Sequence, residues 1–433
     1  MASLSRVLRR SYHLVQVGDP DAVTTISSRE RPAAEGGLDP AIPEAIWKAI
    51  VAYYRTGLQP AMQVAMLHRG VLVLDRAIGH AHGNEPTGML PDAELATPDT
   101  LFNLFSASKS VLAMLVHQLD DEGIVHLDDP VEVYIPEFGQ QGKHYITLRH
   151  VLTHRAGIPV LPGEHADLDL LTEPDRILRY LCEAKPTSRA GRRLAYHALT
   201  GGFVLAEICR RVTGQDLPTL LRERVSGPLG LEHFRYGVEP EDLPKVARDV
   251  FTGPPPAQPY AFLLERSLGV DIREAARLSA DPRFLTSVVP AGNILTTARE
   301  TVRFFECLRQ GGTLDGVEVF GRRTVRRAVS EQSYRELDSV MMLPVRYGMG
   351  FMLGSEHLSF YGPGTTKAFG HLGFTQTLCW ADPERQLSFA LLCSGKPFIC
   401  PDLVLWQRIM WTIASQVPRA RFHGSPIPLP TGV

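Results

Sequence analysis

Ser106 and Lys109 stand three residues apart at the head of LFSASKSVLAMLVHQL, residues 104–119. A Ser-x-x-Lys pair at the opening of a helix sets both side chains on one face, about a turn apart. Behind the pair, Val111, Leu112, Leu115, Val116 and Leu119 recur at one-, three- and four-residue steps, the pattern of a helix with a buried side. Asp120, Asp121 and Glu122 close it, with Gly123 as the C-cap. A lysine at this place has two readings. It is a surface cation with a snorkelling stem, or a partly desolvated amine with a lowered pKa that can take the serine's proton. Lysine is scarce, with seven in the chain (48, 109, 143, 185, 245, 367 and 396), and only Lys109 follows a serine at this spacing.

A serine nucleophile also needs a proton route to the leaving group and an oxyanion site. Two further stretches offer polar groups beside regular elements. Tyr196-His197-Ala198 lies just ahead of a helical pattern at 199–212, and Gly370-His371-Leu372-Gly373 precedes a strand-like run at 375–380. On the residues alone, Tyr196 reads as a packing tyrosine and His371 as a loop histidine. His150 and His154 are spaced i,i+4 like a metal pair, but no acidic third ligand stands at a matching spacing, so no metal site is expected. Asp128 and Asp129 read as helix caps rather than catalytic acids. Gly201–Gly202 and Gly311–Gly312 lack the phosphate-loop pattern, and the absence of Gly-x-Ser-x-Gly counts against an ordinary α/β-hydrolase.

The elements that would hold these groups fall into a recognisable order. A helix is expected over 43–54, then a hairpin from MQVAMLHRG and VLVLDRAIG turning at Arg69–Gly70, then a surface loop over 85–98. Short helical patterns with loops fill the middle, including TLRHVLTH at 147–154, 199–212 closed by Gly214, and 218–225; the proline cluster at 254–259 reads as a surface crossing. Strand texture returns at 347–353, 375–380 and 386–393, the last two forming a hairpin around ADPER, and an apolar-faced helix at 403–413 follows. The expected fold is α/β: an antiparallel or mixed sheet built from both chain ends, flanked by helices, with a large, mostly helical insertion. The corresponding division is an extension at 1–41, a sheet domain at 42–114 plus 286–420, a helical domain at 115–285 and a tail at 421–433. Residues 16–41 read as an extended or mobile lead-in.

Bulk properties narrow the class. With 44% hydrophobic and 21% charged residues the chain has the composition of a globular protein, and a formal net charge of -2 gives no electrostatic case for nucleic acid or an anionic membrane. Six cysteines without C-x-x-C spacing read as buried thiols of a reducing compartment. The basic N-terminus lacks a signal-length apolar run and no segment reaches eighteen apolar residues, so a cytoplasmic location is expected. Leu4, Val7, Leu8 and Tyr12 form an amphipathic pattern that reads as a surface arm or first helix.

Taken in order, FSASKS, ITLRHVLTHRAGIP (146–159), RLAYHALTGGFVLAEICRRVTG (193–214) and FGHLGFTQT (369–377) resemble the elements of the penicillin-binding-protein and class C beta-lactamase superfamily. The likeness spans about residues 45–415 and is greatest to the beta-lactamase-like serine esterases called family VIII carboxylesterases. It implies a beta-lactamase/transpeptidase-like fold without a cofactor. It also implies Ser106 as the acylated nucleophile, Lys109 as its proton acceptor and Tyr196 as the shuttle to the leaving group. The amides of Ser106 and Phe374 become the oxyanion donors, and His371, Leu372, Gly373 and Phe374 the substrate-binding residues. Two departures bear on substrate. Ala198 stands where the superfamily's Tyr-x-Asn element has asparagine, and Leu372 replaces a small polar residue. Both favour ordinary carboxylic esters over beta-lactams. The expected activity is a serine carboxylesterase acting on small, fairly hydrophobic esters through an acyl-enzyme. The alternatives are an acyltransferase on the same acyl-enzyme, a weak beta-lactamase or D-amino-acid peptidase, and a non-catalytic binding protein. The partner expected is a small-molecule ester, with homo-oligomerisation left open.

Overall fold

A computed structural model of the chain describes residues 12–160, 167–258, 261–262, 265 and 269–420. The Leu4, Val7, Leu8 part of the amphipathic pattern, the last residue of the 254–259 cluster and the 421–433 tail lie outside the described residues. Tyr12 is described and exposed.

The sheet is nine-stranded. Its strands are β1 (Thr24–Ile26), β2 (Ala61–His68), β3 (Val71–Glu85) and β4 (Gly88–Leu95) from the first part of the chain. From the last part come β10 (Arg346–Tyr347), β11 (Met352–Leu353), β12 (Phe369–Leu372), β13 (Leu378–Asp382) and β14 (Leu387–Cys393). The order is β1-β3-β2-β14-β13-β12-β11-β10, with β4 also on β3, and every pairing is antiparallel. Early and late strands meet at β2 and β14, in register from Met62 opposite Cys393 to His68 opposite Leu387. The sheet is therefore built from both chain ends, as the sequence predicts.

Both faces of the central strands are covered, which is why β2, β13 and β14 read as near-continuous apolar runs. Alternate residues serve two cores. Met62, Val64, Phe389 and Leu391 face helices α1 (Ala41–Tyr54) and α5 (Leu403–Gln416), where Ile46, Ile50, Trp406 and Ile409 pack. Ala61, Ala65, Ala77, Ala390 and Leu392 face the other way, toward Val302 and Phe305 of α4 (Ala298–Arg309). The alanines on that face let the helix lie close to the sheet.

Two further helices complete the frame of the site: α2 (Ser108–Asp121) and α3 (Thr200–Thr213). A small sheet, β5 (Phe102–Asn103), β7 (Ile294–Thr296) and β6 (Arg235–Tyr236), joins the approach to α2 to the 290s and the 230s. The hairpin β8 (Thr313–Leu314) and β9 (Val317–Glu318) lies apart from both.

Two expectations are corrected. Residues 85–98 are not simply a loop, since β4 occupies 88–95. It is exposed along most of its length, so its side chains show no alternation, and Pro91 is tolerable because the strand lies at an edge. The lead-in is also anchored rather than mobile: Thr24–Ile26 pairs with Arg76–Ile78, and the Val15 amide donates to the Gly57 carbonyl at 2.9 Å. The 347–353 run resolves into two short strands, β10 and β11. All six cysteines are buried and unbridged. Among the described residues no helix is long and apolar enough to cross a membrane.

Candidate active site

Ser106 lies in a 3-10 turn, Phe105–Ala107, that runs directly into α2. The turn is constrained on both sides. The Asn103 side chain accepts from the Phe105 amide at 2.8 Å, the Leu104 amide donates to the Ile294 carbonyl at 2.9 Å, and the Ser108 hydroxyl accepts from the Ile294 amide at 3.1 Å. Phe105 itself has φ 49°, a left-handed conformation uncommon for a bulky residue. Strain of this kind persists only where surrounding contacts over-determine it, and it exposes the next side chain at a sharp corner.

Lys109 points back under that corner. Its Nζ donates to Ser106 Oγ at 2.9 Å, to the Ala198 carbonyl at 2.7 Å and to the Ala291 carbonyl at 3.1 Å. Hydrogen bonds to carbonyls hold the amine in place without the full charge of a carboxylate to favour its protonated form. Burial dominates, and it lowers the lysine to about 7. The approach of the two carbonyls has a steric cause: a Cβ on Gly202, in the first turn of α3, would fall 2.6 Å from the Ala291 Cβ. The Gly201–Gly202 pair thus serves close packing.

Tyr196 is buried beside the pair, with Lys109 Nζ 4.9 Å from its ring centroid. Burial pushes its phenol well above the ordinary value, against a smaller opposite pull from a hydrogen bond with the Ser106 side chain. The backbone around it is held by residues that sequence reading did not single out for this role. The Ala195 amide donates to the His154 carbonyl at 3.0 Å, and the His197 amide to His154 Nδ1 at 3.2 Å. Asp338 Oδ1 accepts from the amides of Tyr196 (3.2 Å), Val340 (2.8 Å) and Met341 (3.0 Å), while its Oδ2 accepts from the Tyr347 hydroxyl at 3.2 Å. Asp338 is fully buried, and no motif in its own stretch marks it.

The histidines divide by partner. His154 packs at a tilt against Tyr196, 4.7 Å between ring centroids, and is held well below its usual pKa by burial, which keeps Nδ1 available as an acceptor. His150 Nδ1 accepts from the Thr147 amide at 3.1 Å as part of a helix cap, so the i,i+4 pair anchors loops. His197 is buried against His154, and burial lowers it to about 3, with a further contribution from Lys109.

His371 ends up 6.2 Å from Tyr196 between ring centroids, on β12. Its Nδ1 is 2.6 Å from the Leu372 carbonyl and so carries the proton in that bond. Burial first, then the Lys109 charge, lowers it to about 3, leaving a neutral ring. At the end of the same strand, a Cβ on Gly373 would lie 2.6 Å from the Leu104 carbonyl, so glycine there lets residues 373–374 close on the serine turn. The Phe374 ring meets the Phe105 ring at 5.4 Å. The turn that follows is secured from below: Gln376 is bonded by Gln59 Nε2 at 2.7 Å and by the Tyr53 hydroxyl, and its carbonyl accepts from Trp406 Nε1 at 3.0 Å. Ser106, Lys109, Tyr196, His371, Gly373 and Phe374 therefore converge from three separate stretches. An amine lowered to about 7 beside a serine hydroxyl, with a phenol next to both, can accept and relay a proton.

Residues 49–410 match the beta-lactamase family. The chain belongs to that family. Among its relatives is the Esterase/beta-lactamase LipL of Mycobacterium tuberculosis (strain ATCC 25618 / H37Rv), 29% identical over 339 residues, covering 74% of this chain and 76% of LipL. Among solved structures, a penicillin-binding-protein homologue from Caulobacter crescentus superposes with a TM-score of 0.73 at 28% identity, over 88% of this chain and 99% of that one. A family VIII carboxylesterase superposes with a TM-score of 0.74 at 24% identity, over 86% and 98%, a likeness of fold. The beta-lactamase/transpeptidase-like fold and membership among serine hydrolases follow.

Proposed function

We propose that this family member is a cytoplasmic serine carboxylesterase that hydrolyses small, fairly hydrophobic esters through an acyl-enzyme. The observation that carries the reading is the Ser106–Lys109 contact of 2.9 Å with the amine held by two carbonyls and lowered to about 7. Lys109 is the base: it removes the proton from Ser106 as Oγ attacks the ester carbonyl carbon. The tetrahedral oxyanion is received by the amides of Ser106 and Phe374. Tyr196, held as a neutral phenol, passes its proton to the departing alkoxide and recovers one from Lys109, so the alcohol leaves and the acyl group stays on Ser106. Water then attacks the acyl carbon, losing its proton to the same relay, and the acid is released.

The substrate class rests on what surrounds this relay. Ala198 brings only a backbone carbonyl, already bonded to Lys109, where an asparagine amide would bind an acylamino group. Leu372 and Phe374 add apolar surface, and neutral His371 places no cation opposite a substrate carboxylate. These features favour uncharged esters over beta-lactams.

The test is intact-protein mass spectrometry after brief exposure to p-nitrophenyl esters and to one cephalosporin, with Ser106→Ala in parallel. Expected are an acyl adduct and nitrophenol release with esters, both absent in Ser106→Ala, and little adduct with the cephalosporin. Adding a competing alcohol leaves the acid as main product if water is the natural acceptor. A wild-type protein that no ester acylates would end this reading in favour of a binding role.

A further inference from the structure

Away from the relay, a second buried lysine sits against the same serine turn. Lys396 Nζ lies 2.9 Å from Asp249 Oδ1, and both side chains are buried. The segments carrying them are fastened to each other on either side of the pair: the Val250 amide donates to the Ser394 carbonyl at 2.9 Å, and the Lys396 amide to the Val250 carbonyl at 2.8 Å. A third anchor is the Gly395 amide, which donates to Gln59 Oε1 at 2.9 Å; a Cβ on Gly395 would fall 2.0 Å from the Leu58 carbonyl. The pair thus lies where the 249–250 segment is tied to the chain just after β14. The same ammonium also donates to the Cys393 carbonyl and stands 4.5 Å from the centroid of the Phe105 ring. A desolvated cation over an aromatic face is a strong directional contact.

Phe105 is the residue with φ 49° immediately before Ser106, and its ring meets Phe374, whose amide is the other oxyanion donor. Phe374 in turn packs on Phe251, Ile272 and Ala276. One ring therefore links the strained backbone of the nucleophile turn, the oxyanion turn and a buried ion pair that belongs to neither.

We propose that Lys396 and Asp249 are a positioning pair that, through the Phe105 ring, locks the Ser106 turn against the Phe374 turn and so sets the geometry of acylation. The proposal rests on the serine-esterase reading. Lys396 exchanges no proton with substrate; it acts only by holding Phe105.

The test compares wild type, the double variant Lys396→Met/Asp249→Asn and the single variant Phe105→Leu. The double variant removes both charges at once, because losing one partner would strand the other in the interior. Each is assayed for the rate of Ser106 labelling by a fluorophosphonate, for kcat and KM on p-nitrophenyl butyrate, and for Tm. Expected for both variants is labelling and kcat lowered by about tenfold to a hundredfold, since small misplacements of reacting groups are costly, while KM stays within about threefold. The two changes combined should cost little more than either alone, because they break one contact. Labelling within about twofold of wild type in a folded double variant overturns the proposal. If that variant does not fold, normal labelling of Phe105→Leu overturns it equally. A wild type that the fluorophosphonate leaves unlabelled overturns the esterase reading itself, and the two failures are told apart by that control.

Discussion

Three of the seven lysines are buried, and their surroundings separate them. Lys109 has a serine hydroxyl and two carbonyls within 3.1 Å, Lys396 has the carboxylate of Asp249 at 2.9 Å, and Lys143 has the carbonyls of Cys182 and Ala184, each at 2.6 Å, and the Phe138 ring. Burial alone penalises a charged amine; a carboxylate opposes that penalty and carbonyls oppose it more weakly. Lys109 and Lys143 are both lowered by burial, so a lowered pKa does not by itself mark a base. What marks Lys109 is the hydroxyl in reach and the phenol beside it. The difference teaches that one residue type, buried three times, meets three different sets of partners, and that those partners decide which chemistry is open to it.

The largest test of that distinction is Lys109→Met, which should lower kcat/KM about a thousandfold in steady-state assays with p-nitrophenyl esters. Its pH behaviour sharpens the point. With the folded value about 7 and the unfolded value about 10.4, the unfolded chain holds a proton that the folded chain has released between those limits. Wild-type stability therefore rises with pH through this window, and the full cost of burying the charge is felt below about pH 7. The Tm of Lys109→Met relative to wild type should be most favourable at about pH 6 and should shrink toward about pH 10. A pH-independent difference would contradict a depressed Lys109. In the wild type, kcat/KM should climb through an apparent pKa near 7 as the amine loses its proton.

A smaller effect is expected from Asp338→Ala. Four donors lose their acceptor, including the Tyr196 amide, and stability should fall by about 3 kcal/mol in urea unfolding. If Asp338 holds the tyrosine segment in place, kcat should fall by about tenfold with it, and KM much less. The smallest effect belongs to Lys143→Met. Its lysine touches no reacting group, so kcat should stay within about twofold of wild type. A large loss there would break the comparison, by showing that a buried lysine matters wherever it sits.

Much of this site was legible locally. Ser106 and Lys109 are one turn apart on α2, and the apolar spacing from Val111 to Leu119 announces the helix that carries them. Gly-His-Leu-Gly reads as a lead into a strand at 375–380, whereas it closes a short strand of its own, β12, and the next strand starts at Leu378. The exposed strand β4 was not legible, because with little of it buried nothing selects an alternating pattern. Asp338 was not legible either: its work is to accept amides from Tyr196, 142 residues away along the chain, and an acceptor of backbone amides leaves no side-chain motif.

By itself the sequence determined which groups could react: a serine, an amine three residues on, a tyrosine ahead of a helix and a histidine between glycines. Those choices are side-chain identities at short range, and a helix of 3.6 residues per turn brings the first two together without help. The tertiary structure alone decided what state these groups are in. Burial lowers Lys109, and the carbonyls it donates to, those of Ala198 and Ala291, lie 89 and 182 residues away along the chain. A carbonyl is the same at every residue, so no sequence pattern could have named those two. Their placement follows from the close approach that Gly202 permits, and it is this packing that turns an ordinary lysine into an amine able to accept a proton at neutral pH.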